Sequence, residues 1–370
     1  MRHATHDLIS PVPGTDRKIH SFHFGPQDSG RKIYIQSSLH ADELPGMLVA
    51  WKLKNQLRTL EDAGRLKAEI VLVPVANPIG QDQQVMDIHL GRYELESGQN
   101  FNRRFLDMTS KVIAEIEGTL TDDPAQNQAL VRKAFKATLE RETANNQLTS
   151  QRLVQQRLAC DAEMVLDLHC DFDAVEHLYT TPEAWDQVEP LARYLGSKAS
   201  LLATDSGGQS FDECFTLLWW KLNQQFGERI PMGSFSVTIE LRGQMDVSHD
   251  LAEQDAQAIL DYLTHYGVIS GEAPALPELP FPATPLAAVE PIESPIGGVL
   301  VLMAKPGDVI EAGQVIAEVI DPIADRVEPI RSSVSGVLYA CANRRMATAG
   351  MAVARVAGTE AYRSGYLLSP

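Results

Sequence analysis

The chain is poor in the features that mark several large protein classes. It has four cysteines, Cys160, Cys170, Cys214 and Cys341, and no C-x-x-C pair. That excludes a disulfide framework and fits a reducing compartment. No run of about 18 apolar residues occurs, so no membrane-spanning helix is expected. The first ten residues are polar and carry no apolar signal core, which makes the cytoplasm the expected location. Basic residues are the minority, 32 Lys and Arg against 49 Asp and Glu, for a formal net charge of −17. Such a surface repels phosphate backbones and excludes nucleic acid as an expected partner. What is there in quantity is core: 44% of the 370 residues are hydrophobic and 22% are charged. That suits a globular protein, and the length calls for two domains.

Hydrophobic periodicity sets out an α/β domain. In residues 32–39 (KIYIQSSL), Ile33 and Ile35 alternate with Tyr34 and Gln36, which predicts a strand. Residues 47–60 carry apolar side chains at helical spacing, with Gly64 beyond the end. Residues 69–76 (EIVLVPVA) predict a second strand, closed by Asn77-Pro78. Strand, helix, strand implies a parallel pair, hence a mostly parallel or mixed central sheet flanked by helices. Residues 79–106 read as loop. The helical patterns at 129–141 and 148–159 are so polar that their charged faces read as solvated surface. Residues 164–168 and 234–241 predict further strands, and 250–266 a helix packed back on the sheet.

Proline then becomes dense, and residues 274–291 read as an extended linker between a catalytic domain (1–273) and a small all-β domain (292–370). The second domain has an internal repeat: SPIGGVL from Ser294 parallels SSVSGVL from Ser332, and AGQVIAEV from Ala312 parallels AGMAVARV from Ala349. Two similar β halves predict a pseudo-twofold sandwich resembling the barrel-sandwich hybrid of biotinyl and lipoyl carrier domains. The expected hairpin tip holds Ala324, Asp325 and Arg326 with no lysine to modify. The domain therefore reads as structural or assembly-related, not as a swinging arm.

Four short features carry chemistry. His40 and Glu43 form H-x-x-E directly after a strand, where ligands of open α/β sheets sit. Imidazole nitrogen and carboxylate oxygen are both zinc donors. His169 ends another strand, DLHC, and would complete a His-Glu-His set that leaves a position for water. Asp167 shares its strand face, either orienting that ligand or as a buried cap. Glu240 ends SFSVTIEL on the face opposite Phe235, Val237, Ile239 and Leu241. It is either a general base beside the metal or the ion-pair partner of Arg242. Asn102-Arg103, within QNFNRRF, offers a planar fork and an amide donor for a carboxylate.

In order along the chain, HADE (40–43), Asn77-Pro78, Arg92-Tyr93, Asn102-Arg103-Arg104-Phe105, Asp167-Leu168-His169 and Thr238-Ile239-Glu240 resemble the succinylglutamate desuccinylase and aspartoacylase family, related to the zinc carboxypeptidases. The resemblance spans about residues 30–265. It implies one Zn2+ per chain on His40, Glu43 and His169. It also implies Glu240 as the catalytic carboxylate, Arg92 as the group that polarises the scissile carbonyl, and Asn102 with Arg103 as the substrate-carboxylate clamp. Ala41 stands where the family usually has glycine, Asn100 where it usually has an acid, and the segment between Arg92 and Asn102 is longer. These departures bear on the substrate more than on the reaction.

The expected activity is hydrolysis of a small N-acyl amino acid or related carboxylate-bearing amide. Two rivals stand beside it: a metallocarboxypeptidase acting on peptides, and a non-catalytic zinc-binding assembly protein. A closed pocket fits the small amide and an open groove the peptide. A homo-oligomer is expected on base rates alone.

Overall fold

The computed structural model describes residues 1–368. Among them, a nine-stranded mixed sheet forms the larger layer. Its order is Arg2–Asp7, Lys18–Phe24, Glu69–Val73, Lys32–Ser37, Met164–Asp171, Phe235–Gly243, His177–Thr180, Ala199–Leu202 and Thr284–Pro285. The four strands at 69–73, 32–37, 164–171 and 235–243 run parallel. The strand at 177–180 is antiparallel to its neighbour at 235–243, which makes the sheet mixed.

Strand alternation sends side chains to two cores. Ile33, Ile35, Leu166, Leu168, Val237 and Ile239 face one side, where the helices Pro45–Asp62, Trp185–Leu195 and His249–His265 cover them. Tyr34, Val71, Val73 and Val165 face the other, under Thr109–Ile116, Pro124–Arg141, Gln147–Ala159 and Glu213–Phe226. A sheet covered on both faces explains why these strands are apolar at nearly every position.

One helix departs from expectation. Gln147–Ala159 was expected to show a solvated face, but Ser150, Gln151, Arg152, Gln155 and Gln156 are buried in it. Its polar side chains bond to loops that have no regular partners of their own. Gln155 Nε2 donates to the Ala76 carbonyl (2.8 Å), and Gln156 both donates to and accepts from the Leu106 backbone (3.0 and 3.1 Å). Buried loop backbone must find hydrogen bonds somewhere, and this helix supplies them.

The proline-dense stretch has no helix or strand over 272–283, and Tyr194 Oη fixes it to the Trp185–Leu195 helix through the Pro274 carbonyl (2.7 Å). Its later part is structured: Thr284–Pro285 joins the main sheet, and Val289–Glu293 begins the β region. There, Val289–Glu293, Ala352–Ala357, Gly336–Cys341 and Val309–Ile310 form one sheet, and Arg326–Arg331, Val315–Asp321, Gly298–Leu302 and Met346–Ala347 the other. Each sheet takes two strands from each repeat, so the halves are interleaved. The repeated serines play one role: Ser294 Oγ donates to the Ile296 carbonyl (2.7 Å) and Ser332 Oγ to that of Val334 (2.8 Å). The β region is tied to the larger sheet by pairing of Ala340–Cys341 with Asp173–Ala174 and by an Arg355–Asp171 ion pair.

Candidate metal centre and active site

The parallel strands at 32–37, 164–171 and 235–243 end on one edge, and the predicted site residues lie there. After Ser37 the chain turns through Ser38, at φ 61°, and delivers His40. The turn is held from outside. Asn77 Nδ2 donates to the Leu39 carbonyl (2.8 Å), and Ala41 N donates to the Gly91 carbonyl (2.9 Å). Gly91 is required by this approach, since a Cβ there would lie 2.1 Å from Asp42 N. Ala41, the residue that departs from glycine, is fully buried against Gly80, whose missing side chain leaves room for its methyl.

Glu43 bridges two imidazoles. Its Oε1 is 2.8 Å from His40 Nδ1 and its Oε2 is 2.7 Å from His169 Nδ1. One ligand atom from each of these three buried residues lies within 4.8 Å of the others, so the group could hold a metal ion. The remaining ring nitrogens have partners of their own. His169 Nε2 is 3.0 Å from Asp167 Oδ2, and His40 Nε2 is 2.9 Å from Asn100 Oδ1. An Nε2–H pointing at each oxygen leaves Nδ1 as the bare donor a metal needs. Asp167 is itself held: Gln36 Nε2 donates to its Oδ1 (3.0 Å) and Tyr34 Oη donates to Gln36 (2.9 Å). Asp167 is thus fully buried and in direct contact with His169.

The electrostatics fit a cation at this point. Burial pushes the Glu43 carboxyl up, but His40 and His169 outweigh it and hold it well below the usual range. Burial would lower His169, yet Asp167 and Glu43 keep it well above 6.5. The metal-free centre thus draws a proton onto His169 where two carboxylates converge, and a divalent ion there would replace that proton.

Glu240 pairs in register with His169 on the neighbouring strand. Arg242 does not neutralise it: at φ 60°, Arg242 turns away to Glu176 and Asp255. Glu240 Oε2 is buried with no hydrogen-bond partner among the described residues. Burial, then the nearby Glu43 charge, pushes its pKa up to about 8. Arg92 is brought in, with Nη1 3.2 Å from Glu43 Oε1 and 3.4 Å from His40 Nδ1. The longer segment after Arg92 folds back on itself, bridging Tyr93 to Asn100, so both of its ends return to the site. Asn102 Oδ1 accepts from Phe211 N (2.8 Å), and Arg103 Nη1 donates to the Asn102 carbonyl (2.7 Å). Gly208, at φ +94°, leaves room for the Arg103 side chain, 2.7 Å from where a Cβ would stand.

These groups line a cavity of about 320 Å³ shared with Thr238, Ser236 and Asp212. The β region walls it with Val289, Tyr339 and Arg355, and the carboxyl-terminal segment adds Arg363, Leu367 and Leu368. A larger, more open cavity of about 1120 Å³ adjoins it, and Arg103 and Glu213 line both. The smaller one carries the metal-capable cluster. Sequence reasoning missed Asn100 as the partner of His40. It also missed Arg152, which donates to the Asn100 carbonyl (2.9 Å), and the wall residues from the β region. The only available signal was that residues 147–160 are helical yet lack an apolar stripe.

Known proteins resemble this chain over most of its length. The model of the succinylglutamate desuccinylase/aspartoacylase catalytic domain matches residues 29–266. The N-alpha-acetyl-L-2,4-diaminobutyric acid deacetylase of Halomonas elongata is 24% identical over 323 residues, 84% of this chain and 77% of that protein. A solved family protein from Shewanella amazonensis SB2B superposes with a TM-score of 0.83 at 25% identity, covering 96% of this chain and 98% of that one. The product-bound ectoine utilization protein EutE (DoeB) from Ruegeria pomeroyi shares the fold at a TM-score of 0.70 and 16% identity, over 97% and 95% of the two chains.

Proposed function

The chain belongs to the succinylglutamate desuccinylase/aspartoacylase family, and from that premise we propose that it is a zinc-dependent deacylase that cleaves the amide bond of a small N-acyl amino acid. The observation that carries this reading is the convergence of His40, Glu43 and His169 at a cavity into which Glu240 presents an unpartnered carboxylate oxygen. The Halomonas relative, named for deacetylating an N-acetyl amino acid, supports the substrate class.

In this reading His40 Nδ1, the Glu43 carboxylate and His169 Nδ1 hold the ion. When bound, zinc acidifies a water and polarises the scissile carbonyl. Arg103 and Asn102 grip the substrate carboxylate with charge-assisted hydrogen bonds. Arg92, already beside Glu43, stabilises negative charge as it develops on the carbonyl oxygen. Glu240 takes a proton from the attacking water and hands it to the leaving nitrogen. Burial pushes the Glu240 carboxyl up in the metal-free protein, and a cation on the neighbouring ligands would bring it back down toward the range in which it accepts a proton.

The walls contributed by the β region and the carboxyl-terminal segment favour a small amide over a peptide. The unpartnered Glu240 disfavours a non-catalytic scaffold, where a buried carboxylate costs stability without return. Four free cysteines suit the cytoplasm as the working compartment. No helix among the described residues is long and apolar enough to cross a membrane.

The test is elemental analysis of wild type and His169→Ala, with a panel of N-acyl amino acids assayed in parallel. The reading expects about one zinc per chain, lost in the variant, and hydrolysis that Glu240→Ala abolishes. Wild type that takes up no zinc after reconstitution would overturn it.

A further inference from the structure

We infer that Asp255 and Glu176 are positioning residues of the active site: they hold Arg242 on the helix side of the sheet and so keep its charge off Glu240. The inference rests on the reading of Glu240 as the catalytic carboxylate and adds what keeps that carboxylate free.

Period-two alternation sends Ser236, Thr238 and Glu240 to the cavity and Val237, Ile239 and Leu241 to the helices behind the sheet. Continued by one step, it would place Arg242 on the cavity face, two residues along the same strand from Glu240. A guanidinium there would pair with the carboxylate and take away its capacity to accept a proton. The strand breaks its alternation at that step. Glu240 stands opposite His169, but the next partnered residue is Gly243, opposite Asp171, so three residues advance against two. The bulge holds Arg242 at φ 60°, in the left-handed region, and its guanidinium reaches the helix side. Bulges beside active sites re-aim side chains in this way.

What meets the guanidinium there is a pair of carboxylates. Arg242 Nη1 donates to Asp255 Oδ1 (3.1 Å) and Nη2 to Oδ2 (2.5 Å), with Asp255 buried on the His249–His265 helix. Nη1 also donates to Glu176, just before the strand at 177–180. The arrangement is costly. An arginine in the left-handed region is strained, and Arg242 Nε and Glu176 Oε2 are both buried without a hydrogen-bond partner among the described residues. Strain and unmet polar atoms of this kind gather at functional sites. The consequence lies next door: Glu240 Oε2 stays unpartnered with a cation two residues along the chain. Without the two carboxylates, a return of Arg242 to extended backbone relieves the strain and brings its charge to Glu240.

The experiment measures kcat and KM of the zinc-loaded full chain on a panel of N-acetyl amino acids, with zinc content and circular dichroism confirming the fold. Glu176→Gln/Asp255→Asn is expected to lower kcat by about 10²-fold with KM little changed, as for the loss of a general base. Adding Arg242→Gln to that pair removes the cation and is expected to win back at least about tenfold in kcat. A merely structural network would leave the triple variant as poor as the double. That result overturns the inference, as does a loss carried by KM or a double variant as active as wild type. Should the double variant not fold, Asp255→Asn with and without Arg242→Gln takes its place under the same criteria. If wild type hydrolyses none of the panel, the deacylase reading fails separately. Thermal melting of the metal-free chains near pH 9 then decides. Glu240→Gln is expected to raise Tm in the wild-type background and to lower it or leave it unchanged in Glu176→Gln/Asp255→Asn. A rise in the second background, or no difference between the two, overturns the inference.

Discussion

The two histidines of the centre are supported in different ways. His169 is backed by a carboxylate, Asp167, which is fixed through Gln36 to Tyr34 inside the sheet. His40 is backed by the neutral amide oxygen of Asn100, on a loop that Arg152 secures. The imidazoles respond in opposite directions. Burial and then Arg92 lower His40, whereas Asp167 and Glu43 overcome burial and raise His169. A charged partner raises ligand basicity and a neutral one only orients the ring. If the pair holds the proposed ion, the sheet-borne arm would serve affinity and the loop-borne arm placement.

Removing either arm altogether gives the largest effect. His169→Ala and His40→Ala are each expected to lose bound zinc and activity to background, with His169→Ala weakening metal binding more, as read by competition with a chelator. Glu240→Gln extends the test along the strand beside His169. It should keep its zinc by elemental analysis but lower kcat by about 10²–10⁴-fold.

Exchanging the supporting residues addresses the comparison itself. Asp167→Asn is expected to weaken zinc binding by about 10–100-fold. Asn100→Asp should strengthen it, since a charged partner would replace a neutral one behind His40. Equal effects of either sign would erase the distinction between the arms. Behind Asn100, Arg152→Met leaves the Asn100 carbonyl without its donor and should cost roughly 1–3 kcal/mol in chemical denaturation.

The last expected effect is a pH dependence in the metal-free protein. Glu240 rises from 4.5 to about 8 on folding, so protonation favours the folded state. Its contribution is fully present below the unfolded value and is lost as pH climbs through the folded one. Metal-free Glu240→Gln should therefore match wild type near pH 4 and melt higher than wild type near pH 9.

Much of this was legible in the chain. The alternation of Phe235, Val237, Ile239 and Leu241 against Ser236, Thr238 and Glu240 assigned the faces of a strand, and the structure divides them the same way. The serine-headed repeats announced the paired halves of the β region. What misled was polarity taken as exposure. In residues 147–160, Gln151, Gln155, Gln156 and Arg152 are buried, and Arg152, Gln155 and Gln156 bond to loops 50 to 79 residues away along the chain.

By itself the sequence determined which residues lie on strands, which face they share and which donors they offer, since these follow from period-two geometry and side-chain chemistry; the strands through His169 and Glu240 run on to Asp171 and Gly243, beyond the expected ends. Only the tertiary structure decided what covers each face. Arg242 turns to Glu176 and Asp255 and leaves Glu240 unpaired. Asn100 backs His40, and a β region more than a hundred residues downstream of His169 walls the cavity. Those outcomes depend on contacts between distant segments, and a periodic pattern specifies that a face will be buried without naming the group that buries it.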